Sequence, residues 1–140
     1  MLTAITLAGC NRCDDVDPPN SSLAFLLVSP TSQNLIGRST SQYHPDSIRI
    51  SYQGVAADFT VYNESVAGPG SVVELRPVGF DGKSDARLFI RLNRMDTDTL
   101  DITYTIKESK CFDVFRYNSV FYNGLRMGQD GNGFYRLIKR

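Results

Sequence analysis

Thr99-Leu100-Asp101-Ile102-Thr103-Tyr104-Thr105-Ile106-Lys107 alternates polar and apolar residues without a break. Side chains of an extended strand point to opposite faces in turn. Leu100, Ile102, Tyr104 and Ile106 therefore share one face, and Asp101, Thr103, Thr105 and Lys107 the other. A helix would need apolar residues three and four apart. The stretch predicts a strand with one face on a core and one face in water.

The same period runs outward from it. Arg87 to Leu92 sets Leu88, Ile90 and Leu92 on one face, and Ser47 to Tyr52 sets Ile48, Ile50 and Tyr52 inward with Arg49 and Ser51 outward. Leu23 to Val28 is a short apolar run stopped by Pro30, and its length suits a buried strand. Leu35-Ile36 returns to the core after turn-forming residues 31–34. Asp58 to Tyr62, Val72 to Val78 and Phe134 to Lys139 supply further strands, with Pro77 marking an edge or an end. Gln53-Gly54, residues 67–70, Asp81-Gly82 and residues 128–133 are breakers or turns. Asn123-Gly124 predicts a type I′ turn pairing Ser119–Tyr122 with Leu125–Met127. About eight short strands, spaced roughly 8–12 residues apart with no helix, predict an all-β fold. Its expected form is an antiparallel β-sandwich, immunoglobulin-like or transthyretin-like, with a small β-barrel as the alternative.

At 140 residues the chain suffices for one domain. A hydrophobic content of 41%, with seven tyrosines and eight phenylalanines, can fill a core. Formal net charge is zero and no run of Lys and Arg stands out, so no nucleic-acid partner is expected. One histidine and three cysteines leave no zinc site of the usual spacing, and no metal or cofactor is expected. Tryptophan is absent, which disfavours a sugar-stacking platform, although tyrosine can serve. No apolar stretch approaches the ~20 residues of a transmembrane helix.

Leu2 to Ala8 is uncharged and mostly apolar, and small residues and Cys10 follow it, as in a secretory signal. The motif Leu7-Ala8-Gly9-Cys10 resembles the lipobox of bacterial lipoproteins. The resemblance implies that the Cys10 thiol carries diacylglycerol, that the preceding peptide is removed, and that the new amino terminus is acylated. Residues 1–9 are then a residual signal peptide, 10–22 a lipidated flexible tether, and 23–140 a single β-sandwich domain. The tether is polar, acidic and proline-bearing from Asn11 to Ser22. Its Asp14-Asp15 looks like the acidic export signal of Bacteroidota-type surface lipoproteins. Residues 34–37 and 43–50, Asp98-Thr99-Leu100 and Tyr122-Asn123-Gly124 are similar in pattern to small lipoproteins of that type. The likeness implies a lipid-anchored protein of the bacterial outer membrane or cell surface, or of its periplasmic side, and carries no activity with it.

Lipidation of Cys10 would leave Cys13 and Cys111 as a pair outside the reducing cytosol. Two readings stand: a disulfide between them, or a small buried Cys111 with Cys13 in the linker. No catalytic residue is assigned. His44 and Asp46 can share a face near several serines, yet no Gly-x-Ser-x-Gly elbow exists, and a histidine before a proline reads as a turn. Asp130-Gly131-Asn132-Gly133 also reads as a turn, because Gly128 and Lys139 would fall on calcium-ligand positions. Asp96 and Asp98 offer two oxygens to a cation or form a polar loop before a strand. Among Phe112, Phe115, Tyr117, Phe121 and Tyr122 most must be core, and an exposed remainder would mark a binding face.

The expected function is non-catalytic: an envelope protein with a binding or structural role, its ligand a protein or glycan. Two alternatives stand beside it. One is a small envelope enzyme or enzyme inhibitor using the His44 region. The other is a subunit of an envelope complex that pairs a sheet edge with a partner strand.

Overall fold

The computed structural model describes residues 13–14, 16–38, 42–63, 71–78 and 84–140. They form two sheets packed as a β-sandwich, not closed into a barrel. The strands are β1 (Leu23–Val28), β2 (Arg49–Tyr52), β3 (Val55–Ala56), β4 (Phe59–Asn63), β5 (Ser71–Leu75), β6 (Asp85–Arg91), β7 (Thr97–Lys107), β8 (Val114–Tyr122), β9 (Leu125–Arg126) and β10 (Tyr135–Ile138). One sheet has the order β10-β1-β5-β4 and the other β3-β2-β6-β7-β8-β9. A 3-10 turn, Pro45–Ser47, precedes β2.

The larger sheet follows the alternation of its sequence. Along β6 and β7, Ala86, Leu88, Ile90, Leu100, Ile102 and Tyr104 are buried, while the residues between them face outward. The inward set meets Leu23, Phe25 and Leu27 of β1, with Val73 and Leu75 of β5, in one continuous core. The smaller sheet does not alternate, because β1 is covered on both faces. Its outward Leu26 and Val28 pack with Val72 under Ala24, Tyr62 and Phe134. The small sheet thus carries its own apolar cover.

Two hairpins turn on left-handed residues. Asn123 (φ 48°) and Gly124 (φ 81°) join β8 to β9 in the type I′ manner. Gln53 (φ 50°) and Gly54 (φ 78°) do the same between β2 and β3, so Gln53-Gly54 turns a hairpin instead of only ending a strand. Both outer strands of the large sheet are two residues long, which blunts its edges against pairing with other chains.

Three details differ from the sequence reading. The last strand, β10, pairs with β1 in parallel, whereas the other pairings between strands are antiparallel. The chain reaches it by crossing from the large sheet to the small one after Met127, and that crossover sets the direction. The strand β5 stops at Leu75, before Pro77 removes a ladder donor. The strand β8 begins at Val114, earlier than Ser119, because a bulge opposite Thr103 and Tyr104 absorbs the break in its alternation. Residues 67–70 and Asp81-Gly82 lie outside the described residues.

Candidate functional site

Two groups of charged residues are organised around β7, one inside the sandwich and one outside. The inner group begins with Asp96 and Asp98, where the chain enters β7 from a bend. Lys139 follows β10, and its backbone N–H donates to the carbonyl of Val28 at 2.9 Å. Its side chain crosses to the other sheet. Nζ donates to Asp96 Oδ1 at 3.0 Å and to Asp98 Oδ1 and Oδ2 at 3.0 and 2.8 Å. Tyr43 donates its hydroxyl to Asp96 Oδ2 at 2.5 Å, and Tyr122 donates to Asp98 Oδ2. Asn123 adds a bond from Nδ2 to Asp98 Oδ1 at 2.9 Å.

Asp98 is only 5% exposed, so its charge needs these donors. The Tyr43 hydroxyl bond, aided by the Lys139 ammonium and opposed by burial, holds the Asp96 carboxyl below its ordinary range. Burial works against the Lys139 charge, but the hydrogen bonds and charges of Asp98 and Asp96 outweigh it and raise its pKa. Burial and the bond to Asp96 push the Tyr43 hydroxyl up, and burial and Asp98 do the same to Tyr122. A cation site at Asp96 and Asp98 already has its cation: the ammonium of Lys139. Chemically the cluster is a clamp between the sheets, and no group of three metal-ligating acids, histidines or cysteines occurs among the described residues.

The opposite end of β7 is closed covalently. Cys13 and Cys111 are disulfide-bonded, with sulfurs 1.99 Å and Cα atoms 5.3 Å apart. Nearby, Tyr117 donates its hydroxyl to the carbonyl of Ser21 at 2.8 Å, and the Phe115 N–H donates to Ser21 Oγ at 3.3 Å. The segment read as a flexible tether is therefore held against β8 over its last residues. Cys10 lies outside the described residues, as do Asn11, Arg12 and Asp15.

The outer group lies on the solvent face of the large sheet. Register sets Arg49 directly opposite Arg91, and Arg87 opposite Asp101, which faces Phe121 in turn. Thr105 faces Arg116, and Asp85 faces Thr103. Lys107 ends the row. Arg87 grips Asp101 in a two-bond fork at 2.6 and 3.0 Å. Arg49 is turned back on its own chain, donating to the carbonyls of Asp46 and Ile48 at 2.7 Å. Arg91 and Arg116 meet no carboxylate among the described residues. Phe89 stands between Arg87 and Arg91 and is 44% exposed. A cavity of ≈ 400 Å³ opens beside the Arg87–Asp101 pair, with Thr103, Phe121 and Gly124 in its lining. Arg126 stands opposite Phe121 at the sheet edge. Its charge also reaches the buried Tyr135 hydroxyl, where it partly offsets the rise in pKa caused by burial.

The other flagged residues have structural roles. His44 caps the 3-10 turn, its Nδ1 accepting the Asp46 N–H at 3.2 Å, and it is half exposed. The Ser47 hydroxyl is directed at the carbonyl oxygens of His44 and Leu92. Asp130 closes its turn by accepting the N–H groups of Asn132 and Phe134 at 2.9 and 3.1 Å. Of the late aromatics, Tyr122 is buried, Phe115 and Tyr117 pack on the core, and Phe121 faces outward.

Fold and surface together define a small β-sandwich with one apolar-covered sheet and one bare, basic sheet. No known protein family, curated protein or solved structure matches the chain. Its chemistry therefore has to be read from its own residues.

Proposed function

We propose that the protein is a non-catalytic binding module, held at a bacterial envelope membrane by lipid on Cys10, with the outer face of the large sheet as its working surface. One observation supports the binding role above others. The chain has zero formal net charge, yet register gathers Arg49, Arg87, Arg91, Lys107 and Arg116 on that face against Asp85 and Asp101. Like charges directly opposite each other, as at Arg49 and Arg91, destabilise a sheet. A fold has no internal use for such an excess, whereas a partner of opposite charge does. The enzyme or inhibitor reading would draw on His44, whose ring is engaged in capping the turn before β2.

The disulfide then sets the distance of the domain from the bilayer. With Cys13 bonded to Cys111, only three residue steps separate the lipid from the domain, at most ~10 Å of extended chain. With the bond reduced and Ser21 released, the leash lengthens to twelve steps at Ser22, or ~40 Å.

Several acyl chains anchor a protein stably where one does not. Expression of the Cys10→Ser chain should move the protein from the membrane to the soluble fraction on fractionation. Unchanged membrane association in that variant would contradict the anchor.

A further inference from the structure

We infer that the outer face of the large sheet binds an acidic polysaccharide, a polymer bearing carboxylates and free hydroxyls such as a polyuronate. The inference rests on the binding-module reading and names the chemistry of its ligand. It is carried by the mixture of groups on the face.

The positive charge calls for an anion. Arg91 and Arg116 present planar guanidinium forks without a carboxylate partner among the described residues, and such a fork fits a carboxylate through two parallel bonds. Yet Asp85 and Asp101 sit within the same face. An ionised carboxylate only accepts hydrogen bonds. The sugar-phosphate backbone of DNA has no donor to offer it, so these two acids oppose DNA. The hydroxyls of a sugar chain donate to acids and pair with arginines alike, so a uronate polymer satisfies both signs of charge.

Hydroxyls are the third component. The outward residues of β7 at 97, 99, 103 and 105 are all threonine. Two of them are already ordered: Thr103 and Ser119 share a bond of 2.5 Å, and Asn118 donates to Thr105 at 2.8 Å. Each hydroxyl keeps a further lone pair, and the ladder runs along the strand like the repeat of a polymer. Phe89 and Phe121 supply apolar surface for the faces of sugar rings. The cavity beside Phe121 is open to the sheet surface and is lined by both members of the Arg87–Asp101 pair. An open, elongated face between strands suits a chain that passes over it better than an enclosed small molecule.

The test is titration of an oligogalacturonate into the purified full-length chain by calorimetry, with three control ligands. These are the methyl-esterified oligomer, a single-stranded DNA oligomer of matched charge, and vesicles containing an anionic phospholipid. Saturable binding to oligogalacturonate is expected, weakening as salt rises, with little binding to the neutral ester. Arg91→Ala and Arg116→Ala should each weaken it roughly tenfold, the equivalent of one charged hydrogen bond. Phe121→Ala should weaken it by a similar factor while the far-ultraviolet spectrum stays unchanged. Absence of binding to oligogalacturonate overturns the inference. So does equal affinity for the ester, or unaltered binding by the arginine variants. Tighter binding to DNA or to vesicles reassigns the face to that partner and equally overturns it. None of these results bears on the anchor, which Cys10→Ser tests by itself, so the two readings fail separately.

Discussion

Asp98 and Asp101 lie three residues apart on β7 and face opposite ways. Both are paired with a basic residue, but the pairings have different consequences. Asp98 points between the sheets, takes donors from Lys139, Tyr122 and Asn123, and ties β7 of one sheet to the end of β10 in the other. Asp101 points to solvent and pairs with Arg87 on the adjacent strand, the two side chains 30% and 64% exposed. Removing one partner of a buried pair strands the other charge away from water and costs several kcal/mol. Removing one partner of an exposed pair typically costs ~0–1 kcal/mol, because water replaces it. The inner charges therefore hold the fold. The outer ones add little to it and remain available to a ligand.

The contrast between the faces can be pressed hardest on apolar and hydroxyl neighbours of the same strand. Ile102→Ala opens a hole in the core and should lower stability by ~2–5 kcal/mol in urea unfolding. Thr103→Ala, one residue on and facing out, should shift it by about 1 kcal/mol or less, the worth of its cross-strand bond to Ser119. Equal costs would mean that the register of β7 is displaced by one residue.

A smaller and more gradual effect comes from pH. The Asp96 carboxyl, ordinarily near 3.8, gives up its proton more readily in the folded protein. Its contribution is therefore full above that value and is lost as pH falls through the lower folded pKa. Lys139, ordinarily near 10.5, holds its proton more tightly when folded. Its contribution is full below that value and is lost as pH rises through the higher folded pKa. The clamp should add a plateau of stability between about pH 4 and pH 10, measured as the urea midpoint. In Lys139→Met the alkaline limb should flatten. An alkaline limb of unchanged size in that variant would show that the ammonium does not link the sheets.

The central strand and its neighbours were legible because period two survives wherever one face is wet. Leu88, Ile90, Leu100 and Ile102 are inward as their spacing requires. The small sheet was less legible. With β1 covered on both faces, its apolar run fixes burial but says nothing of partners, and its parallel pairing with β10 has no local signal. Asp96 and Asp98 stood out as a pair of acids, but their cation is supplied by Lys139, 41 residues beyond Asp98, through a crossover between sheets. The basic face was hidden for a related reason. Its residues come from β2, β6, β7 and β8, each arginine separated from the next by inward residues, so no cluster appears in the linear chain. One trace was visible: Phe89 falls at an outward position between two arginines, where the pattern of β6 calls for a polar residue.

The comparison of Asp98→Asn with Asp101→Asn in parallel urea titrations at neutral pH tests most directly whether inner charges hold the fold and outer charges do not. The two substitutions make the same chemical change on one strand. Asp98→Asn should lower stability by on the order of 3 kcal/mol, since Lys139 loses its closest carboxylate and either Tyr122 or Asn123 meets an amide NH2 in place of an acceptor oxygen. Asp101→Asn should change it by less than about 1 kcal/mol. Equal losses, or a larger loss at Asp101, would contradict the division of labour between the two faces of β7.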